Sequence, residues 1–177
     1  NGSTDRAFSH VVQKAVGADD AVATAWILQV ARWIGEPRRR AQALCDVAVI
    51  QAQAGNKRGA LDTIREAQTL KLPKKQRASV LISIATAQLA AGAKKQAVAN
   101  CQRALKLLRA EKNEMWNASS YKRIAKVLVG CGEIRQAQKL IVAGKSLWDK
   151  TVAASNRVEI AVIIAAAGEL TAALEMV

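Results

Sequence analysis

Ile84-Ala85-Thr86-Ala87-Gln88-Leu89-Ala90-Ala91-Gly92-Ala93-Lys94-Lys95-Gln96-Ala97 is the stretch on which the reading of this chain turns. A run of good helix formers stops at a glycine, and a second such run starts within two residues. The same arrangement recurs at Gly55, Gly132 and Gly168, with separations of 37, 40 and 36 residues from one glycine to the next. Seven residues before each glycine stands Ala48, Ala85, Ala125 or Ala161, and eight before stands Val47, Ile84, Ile124 or Ile160. Five residues after stands Ala60, Ala97, Ala137 or Ala173. A degenerate copy surrounds Gly17, with Ala21 one place early. A period of this length marks a stacked helical-repeat architecture.

Each unit therefore divides into a first helix and a second helix about its glycine. In the second unit the first helix is expected over about Arg38–Ala54, with Pro37 at its entry. The second is expected over Lys57–Leu70, and Leu72-Pro73 closes the unit. Leu44, Val47, Ala48 and Ala52 share one face of the first helix. Ala60, Leu61, Ile64 and Ala67 share one face of the second. Two antiparallel helices pack about 8–10 Å apart, so the recurrent alanines belong at the crossings. Ala85 and Ala97 should not tolerate bulk there, whereas Ser83, one face round, should. The units are expected at 5–36, 37–73, 74–114, 115–150 and 151–177, the last incomplete, within one all-α domain. No alternating strand pattern is present.

These residues resemble the tetratricopeptide repeat (TPR) family. That family carries a small residue in the first helix, a turn glycine, an alanine five later and another small residue seven beyond, here Ala67, Ala104 and Gly144. Its bulky residue eleven places before the glycine appears as Leu44, Leu81 and Tyr121, and the fifth unit departs with Arg157. The family proline ending the second helix is present only as Pro73, shifted by one. The resemblance implies an α-solenoid of about five antiparallel helix pairs, a right-handed superhelix whose first helices line a concave surface.

That implied surface offers Gln42, Cys45, Val49 and Gln53 in the second unit, and Ser79, Ile82, Thr86 and Leu89 in the third. The fourth offers Ser119, Lys122, Lys126 and Val129, and the fifth Ser155, Val158, Val162 and Ala165. It reads as a mostly apolar trough with one basic spot at Lys122, Arg123 and Lys126. The expected partner-binding residues are Gln53, Thr86, Leu89, Lys122, Arg123 and Lys126. The Lys, Arg and Asn array with which family members clamp a peptide carboxylate is missing. Related pentatricopeptide proteins read RNA at a position held here by Cys45, Ile82, Lys122 and Val158, which cannot form such a code.

The formal net charge is +13. Residues 38–77 carry ten basic side chains against three acids, and residues 94–150 thirteen against four, so the excess lies in the middle repeats. Lys57-Arg58, Lys94-Lys95 and Arg135 follow successive turn glycines. Arg38-Arg39-Arg40, Lys71, Lys74-Lys75, Arg77, Lys112 and Lys150 fall in the opposite turns. One reading is solvated loop charge that keeps an alanine-rich solenoid in solution. The other is attraction to an acidic partner, whether protein, nucleic acid or anionic lipid.

Chemistry is scarce. His10 is the single histidine, which excludes a two-histidine metal site. No phosphate-binding glycine loop appears. Asp19-Asp20 and the Asn117-Ala118-Ser119 sequon read as helix caps. Cys45, Cys101 and Cys131 have no paired spacing and read as reduced core thiols, favouring a reducing compartment such as the cytoplasm. Trp26 occupies the repeat position of Ile64 and Cys101 and so reads as core. Trp33 and Trp148 either cover the contact with the next first helix or stand exposed as anchors.

The chain opens at Asn1 without methionine and is expected to be a trimmed or processed piece, soluble, since no apolar run can span a bilayer. Leu170, Ala173, Leu174 and Val177 are expected to lie bare, giving self-association through the last repeat or a continuation. The expected function is a non-catalytic protein-interaction scaffold without cofactors or metals. It would bind a peptide or partner protein on its first-helix surface. The alternative is a basic solenoid binding nucleic acid or another polyanion non-specifically.

Overall fold

Three glycines with positive φ punctuate the helices: Gly55 at 81°, Gly92 at 80° and Gly132 at 89°. A side chain strains the backbone there, so glycine ends each preceding helix. At Gly92 the closing bonds are complete. Gly92 N donates to the Leu89 carbonyl at 3.0 Å and Ala93 N to the Gln88 carbonyl at 2.8 Å. Gly132 and Glu133 repeat the pattern onto Val129 at 2.9 Å and Leu128 at 2.8 Å. This double bond pattern satisfies carbonyls that a helix end otherwise leaves open.

The structure is a computed structural model that describes residues 21–110 and 114–140, together with Val162 and Ala165. The expected turns at Gly17 and Gly168, the bare C-terminal residues, His10, Asp19, Asp20 and Trp148 lie outside the described residues. Among the described residues every regular element is helical. They are α1 (Ala21–Trp33), α2 (Pro37–Gln53), α3 (Lys57–Thr69), α4 (Lys74–Ala90), α5 (Lys94–Ala110) and α6 (Glu114–Cys131), followed by helical residues 134–140.

The local reasons are visible at the helix starts. Pro37 occupies the first turn of α2, where its missing N–H costs nothing. Glu36 precedes it, and its carboxylate accepts from Arg38 N at 3.1 Å and Arg39 N at 2.9 Å. Asn56 caps α3 by accepting from Gly59 N at 2.9 Å. Pro73 sits at the cap of α4 without a side-chain bond. The sequon behaves differently from expectation. Helix α6 starts at Glu114, so Asn117 and Ser119 lie inside it and not at its N-cap position.

The chain divides into two compact units, Asn1–Ala93 and Lys94–Val177. The boundary follows Gly92 and falls inside the third expected repeat. In the first unit α2 is the hub: α1, α3 and α4 all pack against it, and α3 also meets α4. Its core joins Ile27, Ala31, Leu44, Val47, Ala48, Ala60, Ile64, Ala67, Val80 and Ile84. In the second unit α5 packs on α6, with Ala97, Cys101, Ala104, Ile124, Ala125, Leu128 and Ala137 buried.

The repeat alanines on either side of the three turn glycines are all buried. Ala48, Ala85, Ala125, Ala60, Ala97 and Ala137 are each 0% exposed. Positions four and five before the glycine are also buried at all three turns: Gln51 and Ile50, Gln88 and Ala87, Leu128 and Val127. Ser83 departs from its expected tolerance. It is 4% exposed, because α4 buries several faces rather than one.

Two corrections concern the first helix pair. Trp26, expected in the core, is 61% exposed, and its neighbour Ile27 is buried instead. The core face of α1 runs through Ile27 and Ala31, one residue out of the register counted from Gly17. Trp33, expected either under the next helix or as an anchor, is 80% exposed.

Candidate interaction surfaces

A helix flanked on three sides has little face left to offer, and α2 shows this directly. Of its four residues expected in the trough, Cys45 is buried, Gln42 and Val49 are half-buried, and Gln53 is exposed. On α4, Ile82 is buried, Ser79 and Leu89 are half-buried, and Thr86 is exposed. On α6, Val129 is buried. Cys45, Ile82 and Val129 therefore belong to the core and not to a binding trough. The remaining accessible surface of α2 and α4 is more polar than the sequence suggested, led by Gln53 and Thr86.

The six expected partner-binding residues all retain accessible surface. Gln53, Thr86 and Leu89 lie in the first unit. Lys122, Arg123 and Lys126 lie in the second, half-buried within a little over one turn of α6. Each of these three basic side chains takes part in an interaction within the molecule. In the fifth unit, Val162 is 60% exposed.

Basic residues at the turns are solvated. Lys57 and Arg58 are exposed in the first unit, and Lys94, Lys95 and Arg135 in the second. At the other end of the first unit, Arg39, Lys71, Lys74, Lys75 and Arg77 are exposed. A bidentate ion pair ties the C-terminal ends of α1 and α3 together. Arg32 Nη2 and Glu66 Oε2 stand 2.8 Å apart, and Arg32 Nε donates to Glu66 Oε1 at 3.0 Å. The Glu66 hydrogen bond holds the Arg32 pKa above its ordinary value, against a desolvation effect that lowers it. Arg40 turns inward, and its Nε donates to the Ile34 carbonyl at 2.6 Å.

Among the described residues, the exposed large apolar side chains are mostly on α1, where Val22 is 77%, Trp26 61% and Trp33 80% exposed. No protein-family model, curated protein or solved structure matches this chain.

The thiols are placed as core residues. Cys45 and Cys101 are buried, Cys131 is intermediate, and all three are free. Burial pushes the Cys101 thiol up from 9.0 to about 12, with the neighbouring Cys131 adding to the shift. Burial also raises Cys131, whose Sγ donates to the Lys94 carbonyl at 3.7 Å. A thiol held protonated is a poor nucleophile and a poor metal ligand. Among the described residues no group of His, Cys, Asp and Glu could hold a metal ion. Among them, too, no helix is long and apolar enough to cross a membrane.

Sequence reasoning missed a buried polar pair. Thr63 Oγ1 on α3 donates to Gln51 Oε1 on α2 at 2.8 Å, and both residues are buried. The signal was present in the period. Gln88 and Asn100 stand 37 residues later at the same repeat positions, and both are buried. Leu128 and Leu140 hold those positions at the next turn, so the polar pair is exchanged for an apolar one on both helices together.

Proposed function

We propose that this protein is a TPR-like helical-repeat scaffold that binds a peptide or partner protein on the accessible faces of its first helices and performs no catalysis. The supporting observation is the recurrence of one turn pattern at three glycines. Each has a positive φ and a fully buried alanine on each side of it. Such modules extend a surface by repetition instead of assembling a reactive pocket. Gln53, Thr86 and Leu89 are the contact residues assigned to α2 and α4, and Lys122, Arg123 and Lys126 those assigned to α6. The basic side chains would orient an acidic segment, and rim charges such as Lys94 and Lys95 would mainly steer it.

The exposed basic residues at the turns favour one competing reading, a polyanion tracked along solvated charge. The two separate in one experiment. A peptide selected from a displayed random library against the whole chain is titrated by fluorescence anisotropy at two salt concentrations. Lys122→Glu with Lys126→Glu is expected to weaken it about tenfold or more. Lys94→Glu with Lys95→Glu should change mainly the salt response. Heparin or RNA binding that both pairs weaken equally would support the polyanion reading. Peptide binding untouched by the α6 pair would reject the proposal.

A further inference from the structure

Helix α5 carries five cations, Lys94, Lys95, Arg103, Lys106 and Arg109, and no acidic residue. All five are exposed. Among the described residues no carboxylate pairs with any of them. At 100° per residue Lys95, Arg103, Lys106 and Arg109 fall within an arc of about 120°. The buried residues Ala97, Asn100, Cys101, Ala104 and Leu108 lie on the opposite side of the helix. The outer face is thus a basic stripe, and the other exposed residues on it are Ala99, Gln102 and Ala110.

This arrangement works against the helix that carries it. Lys94 and Lys95 open the first turn, where the helix dipole disfavours positive charge. Arg103 with Lys106, and Lys106 with Arg109, are like charges three residues apart. A face that serves solubility alone mixes both signs and gains from acid–base pairs along the helix. The sequence that follows brings little compensation. Residues 141–177 hold three basic and four acidic side chains, a net of −1.

We propose that the outer face of α5 is a docking surface for the phosphate backbone of double-stranded nucleic acid, bound without regard to sequence. It is separate from the first-helix faces assigned to a peptide and does not depend on them. The chemistry of the face selects this partner. A protein interface centres on apolar and aromatic anchors and is poor in Lys, whereas this arc holds no apolar side chain larger than alanine. An anionic membrane takes up a helix through its apolar face, and the apolar face of α5 is buried in the protein. A single strand is held by stacking its bases on aromatic rings, and α5 has none. What the face does offer is charge at fixed intervals on a straight support. From Lys95 to Arg109 the rise is about 21 Å, close to six base pairs at about 3.4 Å each. Each guanidinium can grip two oxygens of a phosphate, and each ammonium acts as a point charge. Such contacts carry no sequence information, and the release of counterions drives them.

Fluorescence anisotropy of the whole chain with a labelled DNA duplex of about 20 base pairs, from about 50 to 200 mM salt, tests this. Duplexes of unrelated sequence should bind alike, and the single strand more weakly. Arg103→Gln, Lys106→Gln and Arg109→Gln combined should raise Kd about tenfold or more and flatten the slope of log affinity on log salt by about 2.7. Helical circular dichroism should not change. Lys71→Gln, Lys74→Gln and Lys75→Gln combined remove the same charge from the first unit and should change Kd less than about threefold. Should the α5 triple variant lose helicity, Lys106→Gln decides alone, through a slope flatter by about 0.9. No duplex binding at about 50 mM salt overturns the proposal. So does equal weakening by the two triple variants, which would mean diffuse attraction to the net charge of +13. Tighter binding of the single strand, or binding of anionic phospholipid vesicles without binding of the duplex, would give the face another partner and equally overturns it.

Discussion

Removing the Thr63 hydroxyl would strand the Gln51 amide oxygen between α2 and α3. Thr63→Ala is expected to cost about 1–3 kcal/mol, the penalty of a buried polar group without its partner. Gln51→Leu combined with Thr63→Leu should recover most of that loss, since Leu128 and Leu140 fill the same two positions at a later turn. Urea melts of the two singles and the double give the coupling. Additive losses would mean that the pair does not act as a unit. Cys101 gives a second residue-scale expectation. Its thiol stays protonated in the fold up to about 12, whereas an unfolded thiol ionises near 9.0. The unfolded state therefore holds fewer protons between those values, and stability should fall as pH rises through that window. Cys101→Ala should flatten this slope, and an unchanged slope would assign it to other groups. The alanines were legible in the sequence because four copies repeat them at fixed distance from a glycine. Gln51 and Thr63 were not, because a polar residue on a helix is counted toward the solvent face unless its partner is known.

At the scale of the helix, each turn is a backbone device. A Cβ at Gly92 would meet nothing within 4 Å, so any cost of substitution is conformational. Gly92→Ala is expected to lose about 1–2 kcal/mol, and Gly92→Asn less, because Asn enters the left-handed region more readily. Equal losses in a thermal melt would contradict a backbone origin. Helix limits were read closely for α2 and α3 because Pro37, Gly55 and Asn56 mark them chemically. Two surface assignments were not legible. The register of α1 slipped by one residue since its own repeat copy is degenerate, which turned Trp26 outward and Ile27 inward. Cys45 and Ile82 were placed in a trough from the expected curvature of the array. In the fold, α1, α3 and α4 crowd α2, and this row faces protein instead of solvent. How tightly successive first helices pack depends on long-range geometry that a helical period does not encode. Gln53, Thr86 and Leu89 kept their accessible positions because they stand on the faces that this crowding leaves open.

At three turns of the molecule a positive-φ glycine stands between two fully buried alanines. An all-α chain was legible from the absence of strand alternation and from the glycine period. The candidate partner surface was legible only in part, since charge and exposure limit the kinds of partner without naming one. Repetition itself makes a quantitative demand. Ala60, Ala97 and Ala137 are equivalent, each 0% exposed and each five residues after its turn glycine. Ala99, on α5 beside Ala97, is exposed. The decisive measurement is the urea stability of Ala60→Leu, Ala97→Leu and Ala137→Leu beside Ala99→Leu. The account predicts that each of the three loses about 1–3 kcal/mol through an overpacked helix crossing, while Ala99→Leu stays within about 0.5 kcal/mol of the parent. A member of the three that tolerates leucine as well as Ala99 does would contradict the claim that these turns build the same helix pair.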